Sequence, residues 1–76
     1  MDTKFKNLEF LIEGNGDITL GRIGPVECAG RAIGEGQLLA MLVRRPGEPL
    51  LELLARLDAA VGDALESEIF IDETRL

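Results

Sequence analysis

Glu13, Asn15 and Asp17 place oxygen-bearing side chains at alternate positions, the spacing with which a calcium loop opens so that hard ligands converge on a hard cation. The rest of that pattern fails. Ile18 stands where the loop requires glycine and Gly24 where it requires a bidentate carboxylate, so the segment reads as a hairpin turn. Gly34-Glu35-Gly36 has the glycines of a phosphate cradle, but it leads into a strand-like run and lacks lysine, so no helix N-terminus faces an anion. Gly21-Arg22-Ile23-Gly24 has the GxxG spacing of a KH-type RNA-binding loop, yet it lies between strand-like runs of an acidic chain without stacking aromatics. Histidine is absent, which removes the usual general base and the commonest metal ligand at neutral pH. Cys28 has no histidine to activate it and sits among small residues, which fits a buried, inert thiol. Ser67 reads as a turn residue. No nucleophile, base and orienting group come together, so the expectation is a protein that is not an enzyme and uses no cofactor and no metal.

The charge is unevenly placed. Residues 1–47 hold six acids (Asp2, Glu9, Glu13, Asp17, Glu27, Glu35) against six bases (Lys4, Lys6, Arg22, Arg31, Arg44, Arg45), and these cancel. Residues 48–76 hold eight acids (Glu48, Glu52, Asp58, Asp63, Glu66, Glu68, Asp72, Glu73) against Arg56 and Arg75, so the whole formal charge of −6 belongs to this stretch. A surface of that sign repels nucleic acid and anionic lipid and attracts basic protein. Glu52, Asp58, Asp63, Glu66, Asp72 and Glu73 are therefore the candidate contacts for a partner protein with a basic surface. The lone cysteine cannot make an internal disulfide, and a secreted domain this small is usually stapled, so the expected compartment is the reducing cytoplasm. The longest unbroken apolar run, Leu38 to Val43, is six residues, far short of a membrane span, and no apolar signal region follows the N-terminal lysines.

These side chains need a scaffold. Seventy-six residues make one domain, which buries only about 60% of the surface its unfolded chain exposes, so the core is thin. Only Phe5, Phe10 and Phe70 are aromatic, and the core must be aliphatic. Leu8, Phe10 and Ile12 alternate with polar residues, predicting a strand over about 7–13, and after Gly14-Asn15-Gly16-Asp17 a second over 17–23. Gly24-Pro25 and Gly34-Glu35-Gly36 punctuate two more strands, over 26–33 and 37–44. Pro46-Gly47-Glu48-Pro49 then stops the strand and opens a helix over about 49–66. Its apolar side carries Leu50, Leu53, Leu54, Leu57, Ala60, Val61, Ala64 and Leu65, with Glu52, Arg56, Ala59 and Asp63 opposite. Gly62 inside it implies either a bend or a close approach. Residues 68–72 read as a short extended tail whose strand partner is unspecified. The expected fold is α+β: an antiparallel four-stranded β-meander with one amphipathic α-helix on one face and a short C-terminal extended segment.

Leu38 to Val43 is apolar on both strand faces, whereas one helix covers only one face of a sheet. The tail around Phe70, a second copy or another protein must cover the other, which makes Leu39, Met41 and Val43 candidates for self-association in a homodimer. Leu51, Ala55 and Gly62 form a narrow strip beside the core stripe of the helix, either a docking seam or an ordinary exposed edge.

Glu73-Thr74-Arg75-Leu76 has the hydroxyl residue and apolar end of a PDZ ligand, with nothing else in support. A ubiquitin-like modifier is excluded, because the C-terminal Gly-Gly is missing and the helix follows the strands. The stretch Ala40-Met41-Leu42-Val43-Arg44-Arg45-Pro46-Gly47-Glu48, followed by Leu53-Leu54-Ala55-Arg56-Leu57-Asp58-Ala59-Ala60 and Asp72-Glu73, resembles small uncharacterised bacterial proteins, some from prophage-like or other mobile regions. The resemblance covers the second half of the chain and carries no activity with it. It implies an accessory protein that binds another protein. The functional expectation is a non-catalytic, acidic protein-binding module, an inhibitor or accessory factor of a mobile element, with a structural or assembly protein acting through homo-oligomerisation as the alternative.

Overall fold

The computed structural model describes residues 5–74, and its first element departs from the sequence reading: residues 6–13 form a helix, α1 (Lys6–Glu13), not a strand. The alternation of Leu8, Phe10 and Ile12 is outweighed by Leu8 and Leu11, three apart, which enter the core and leave Phe10 and Ile12 exposed. Eight residues are too few to hold a helix alone. α1 persists because its N-terminus is satisfied from elsewhere in the fold: the backbone N–H groups of Asn7 and Leu8 both donate to Asp58 Oδ1, at 2.9 and 3.0 Å. At its other end the N–H groups of Gly14 and Gly16 return to the carbonyls of Phe10 and Leu11, and Asn15 takes a left-handed φ of 67°, which asparagine tolerates.

Three strands follow as an antiparallel meander, β1 (Asp17–Ile23), β2 (Val26–Gly34) and β3 (Gln37–Val43), reversing at Gly24-Pro25 and Glu35-Gly36. Helix α2 (Leu50–Ser67) then carries the chain back, and β4 (Ile71–Asp72) pairs in parallel with β3, giving the order β1-β2-β3-β4. The fold is α+β with four strands. The fourth strand, however, is the tail rather than the N-terminal segment, and it lies parallel because a helical crossover precedes it. α2 matches the predicted helix to within a residue at each end. Pro49 is its N-cap, with φ of −62° preset by the ring.

Both helices lie on one side of the sheet. Leu53, Leu57 and Val61 are fully buried, and with Leu8 and Leu11 they pack over Ala32, Ala40 and Leu42. A Cβ on Gly30 would sit 3.2 Å from Leu57 Cδ2, so the missing side chain lets α2 close onto β2. Gly62 marks a close approach: a Cβ there would stand 2.7 Å from Asn7 Nδ2, where α1 docks on α2. That contact also takes Gly62 out of the exposed strip, leaving Leu51 and Ala55 in solvent. Leu50 and Leu65, expected in the buried stripe, lie at its exposed ends.

Leu39 is an extra residue in β3, between the pairs Ala32↔Ala40 and Ile33↔Leu38, and this bulge turns it towards the helices. Leu39 therefore belongs to the core rather than to a self-association surface. Met41 and Val43, paired with Arg31 and Ala29, stay on the opposite face, where Arg31 Nη2 reaches Thr19 Oγ1 at 3.3 Å. The tail borders that face rather than crossing it: Phe70 and Asp72 lie beside Leu38, Glu73 and Thr74 beside Met41 and Val43, and Met41 is buried and Val43 half-buried. It pairs along the edge of β3 and widens the sheet.

Candidate functional site

Of the six acids singled out by sequence, Glu52, Asp63 and Glu66 stand exposed on α2. The other three have partners within the fold. Asp58, 9% exposed, caps α1, and Asn7 Nδ2 donates both to its main-chain oxygen and to Oδ2, each at 3.2 Å. Asp72 Oδ1 accepts from the backbone N–H of Thr74 at 2.9 Å and from the Thr74 hydroxyl. Glu73 Oε1 accepts the N–H of Val43 at 2.8 Å, and its own N–H donates to the Met41 carbonyl at 2.8 Å.

Arg56 joins these groups. Its Nε and Nη2 donate to the two carboxylate oxygens of Glu48 at 2.7 and 2.8 Å, a bidentate pair, while Nη2 also reaches the Val43 carbonyl at 2.9 Å and Nη1 lies 3.3 Å from Glu73 Oε2. Glu48, 7% exposed, additionally accepts the N–H of Arg45 at 3.0 Å. The hydrogen bond from Arg56, and after it the one from Arg45, hold the Glu48 carboxyl at about 2, from an ordinary 4.5. The same pairing raises Arg56 above its usual value. This cluster ties α2 to the end of β3, to the loop after it and to the tail, so Glu48, Arg56 and Glu73 work as a clamp.

A different set of residues gathers where β2 turns into β3. Phe10 of α1, Leu65 near the end of α2 and Phe70 before β4 surround a shallow groove also lined by Leu11, Leu39 and Ala64. Their exposures are 66%, 43% and 47%, so two of the three phenylalanines in the chain face solvent around one recess. The charged residues lining it are Glu35 and Glu68. Both have left-handed backbones, with φ of 52° and 55°. An L-residue in that conformation carries roughly 1–2 kcal/mol of steric penalty. Glu35 opens a two-residue hairpin turn, where asparagine or glycine is usual, and Glu68 ends α2, where glycine is usual. Sequence reasoning passed over both. The signal was available in the Glu-Gly turn and in a helix end without glycine or asparagine.

A second recess lies at the opposite end of β3, on the uncovered sheet face. Ile23, Val26, Met41 and Val43 line it, with Arg44 and Arg45 at its rim. Glu73 also borders it, but its carboxylate is held by Val43 and Arg56. Among the described residues, ion pairs form only around Arg56, so neither Arg44 nor Arg45 is neutralised by a carboxylate. Arg44 Nε donates to the main-chain oxygen of Glu48 at 2.8 Å.

Cys28 is half-buried and packs against the core. Among the described residues no group of histidine, cysteine and acidic side chains is gathered to hold a metal ion, and no helix is long and apolar enough to cross a membrane. The chain matches no family model, no curated protein and no solved structure.

Proposed function

We propose that this chain is a non-catalytic, acidic protein-binding module that docks an apolar, basic segment of a partner protein at the Phe10–Leu65–Phe70 groove. One observation carries the reading: exposed Phe10 and Phe70 share a recess with two glutamates, Glu35 and Glu68, both in backbone conformations that other residues adopt more cheaply. Apolar rings supply binding energy and the carboxylates select the sign of the partner. Glu52, Asp63 and Glu66 extend the same negative field along α2 and act on encounter rather than on the bound state. A field of this sign disfavours nucleic acid and anionic membranes. The single cysteine supports a reducing compartment, the cytoplasm. The resemblance of the second half to small bacterial proteins of mobile regions carries no activity and supports no more than an accessory protein that binds another protein.

The test uses a fluorescein-labelled amphipathic peptide of leucine and arginine as probe. Anisotropy titrations should give at least about tenfold weaker binding for Phe10→Ser/Phe70→Ser and for Glu35→Gln/Glu68→Gln, with the second loss shrinking as salt rises. Equal affinity across wild type and both variants would overturn the reading. Homo-oligomerisation is the second reading, resting on the placement of both helices on one side of the sheet; Val43 on the other side is half-buried, while Met41 is itself buried and offers little contact area.

A further inference from the structure

We infer that the basic partner of the Phe10–Leu65–Phe70 end is the Arg44–Arg45 end of a second copy of the same chain, so that the protein associates head to tail; this rests on the reading of that groove as a docking site. The two ends are complementary in charge and in apolar character. One offers projecting side chains, Phe10 above all, beside Glu35 and Glu68. The other offers a recess lined by Ile23, Val26, Met41 and Val43 and bordered by Arg44 and Arg45, neither of which forms an ion pair among the described residues, although Arg44 Nε donates to the Glu48 carbonyl. They cannot meet within one molecule. They sit at opposite ends of β3, whose seven residues span about 20 Å, one on the helix side of the sheet and the other on the open face.

A contact between two different patches is heterologous, and each added copy presents a fresh end. Such an interface closes into a ring if its rotation allows and otherwise continues as a filament. An isologous dimer through Met41 and Val43 would instead stop at two. Arg31 and its partner Thr19 lie on that same face, and a two-fold contact there would bring like charges together, which disfavours the symmetric alternative. The net charge of −6 limits association to the local complementarity of the ends, so the contact weakens when salt screens it.

Sedimentation velocity on the full chain over a wide concentration range decides the matter, with Phe10→Asp and Arg45→Glu as the two blocked variants. Both positions are exposed, and circular dichroism verifies that each variant is folded. Wild type should grow beyond twice its 8.3 kDa mass as concentration rises. Each variant alone should associate at least about tenfold more weakly. Mixed in equal amounts, the two variants should form dimers and nothing larger, because Arg45→Glu retains a working Phe10 end and Phe10→Asp a working Arg45 end. A wild type that stays at 8.3 kDa, one that stops at a dimer indifferent to Phe10→Asp, or a mixture in which both variants remain monomeric would each overturn the inference. The labelled peptide separates the two readings: if wild type is monomeric yet binds the peptide through Phe10 and Phe70, the groove stands as a docking site and only self-association falls.

Discussion

Replacing Glu35 and Glu68 by glycine should stabilise the protein and impair its binding together. Both residues hold left-handed backbones, at φ of 52° and 55°. Relieving a left-handed L-residue returns about 1–2 kcal/mol, and the greater freedom of glycine in the unfolded chain takes back about 0.4–1 kcal/mol. The net gain is about 0.5–1 kcal/mol per site, read from each single variant because both residues border one groove and can couple. For a domain of this size each kcal/mol raises the melting temperature by roughly 4–8 °C. Urea denaturation followed by circular dichroism measures the gain, and the anisotropy titration measures the loss of binding. Glu35→Gln/Glu68→Gln separates the two effects, since it removes the carboxylates while keeping the strain: binding should fall with no gain in stability. A glycine double variant that is less stable than wild type, or one that binds the leucine–arginine peptide as well as wild type does, would refute the argument that these acids are held in place for contact.

Other substitutions probe the scaffold. Asp58→Ala should lose about 2–3 kcal/mol, because two backbone donors of α1 are left without their charged acceptor, and hydrogen exchange should rise first at Asn7 and Leu8. Leu57→Ala should lose about 2–5 kcal/mol in chemical denaturation, with less than about 1 kcal/mol contradicting its place under Gly30 at the centre of the core. Gly62→Ala should forfeit most of its helix-propensity gain of about 1 kcal/mol, since the new methyl meets Asn7 Nδ2 and displaces its hydrogen bonds to Asp58, and a gain of the full amount in chemical denaturation would refute that close approach. Glu48 titrates at about 2 in the fold against an ordinary 4.5, so its contribution is fully present above pH 4.5 and drains away as pH falls towards 2. Stability measured across that window should decline less steeply in Glu48→Gln, and an unchanged slope would remove the carboxylate from the acid limb.

The parts of this fold that were legible in the sequence are those whose signals are local. The strands β1 to β3 are extended runs bounded by punctuating turns, and α2 combines a proline start with a continuous apolar stripe. α1 was misread because Leu8, Phe10 and Ile12 imitate the period of a strand, while the residue that makes the helix viable, Asp58, lies fifty positions away. The partner of β4 was equally invisible, since a two-residue parallel strand has no turn to announce it. In the candidate site, Glu52, Asp63 and Glu66 were recognisable as surface acids from helical spacing alone. Asp58 and Glu73 look the same in sequence, and only tertiary placement separates a capping or clamping carboxylate from a solvated one. Leu39 escaped for a related reason, because a bulge reverses the face that simple alternation assigns.

Arg56 and Asp58 stand two residues apart in the middle of α2, one gripping Glu73 near the end of the chain and the other holding Asn7 and Leu8 near its beginning. In chain order, α1 has no acceptor for the N–H groups of Asn7 and Leu8 until residue 58 is in place. The tail must wait for the same helical turn. The first and last described segments are thus linked through one turn of α2: a change that rotates this turn breaks the cap of α1 and the grip on the tail together.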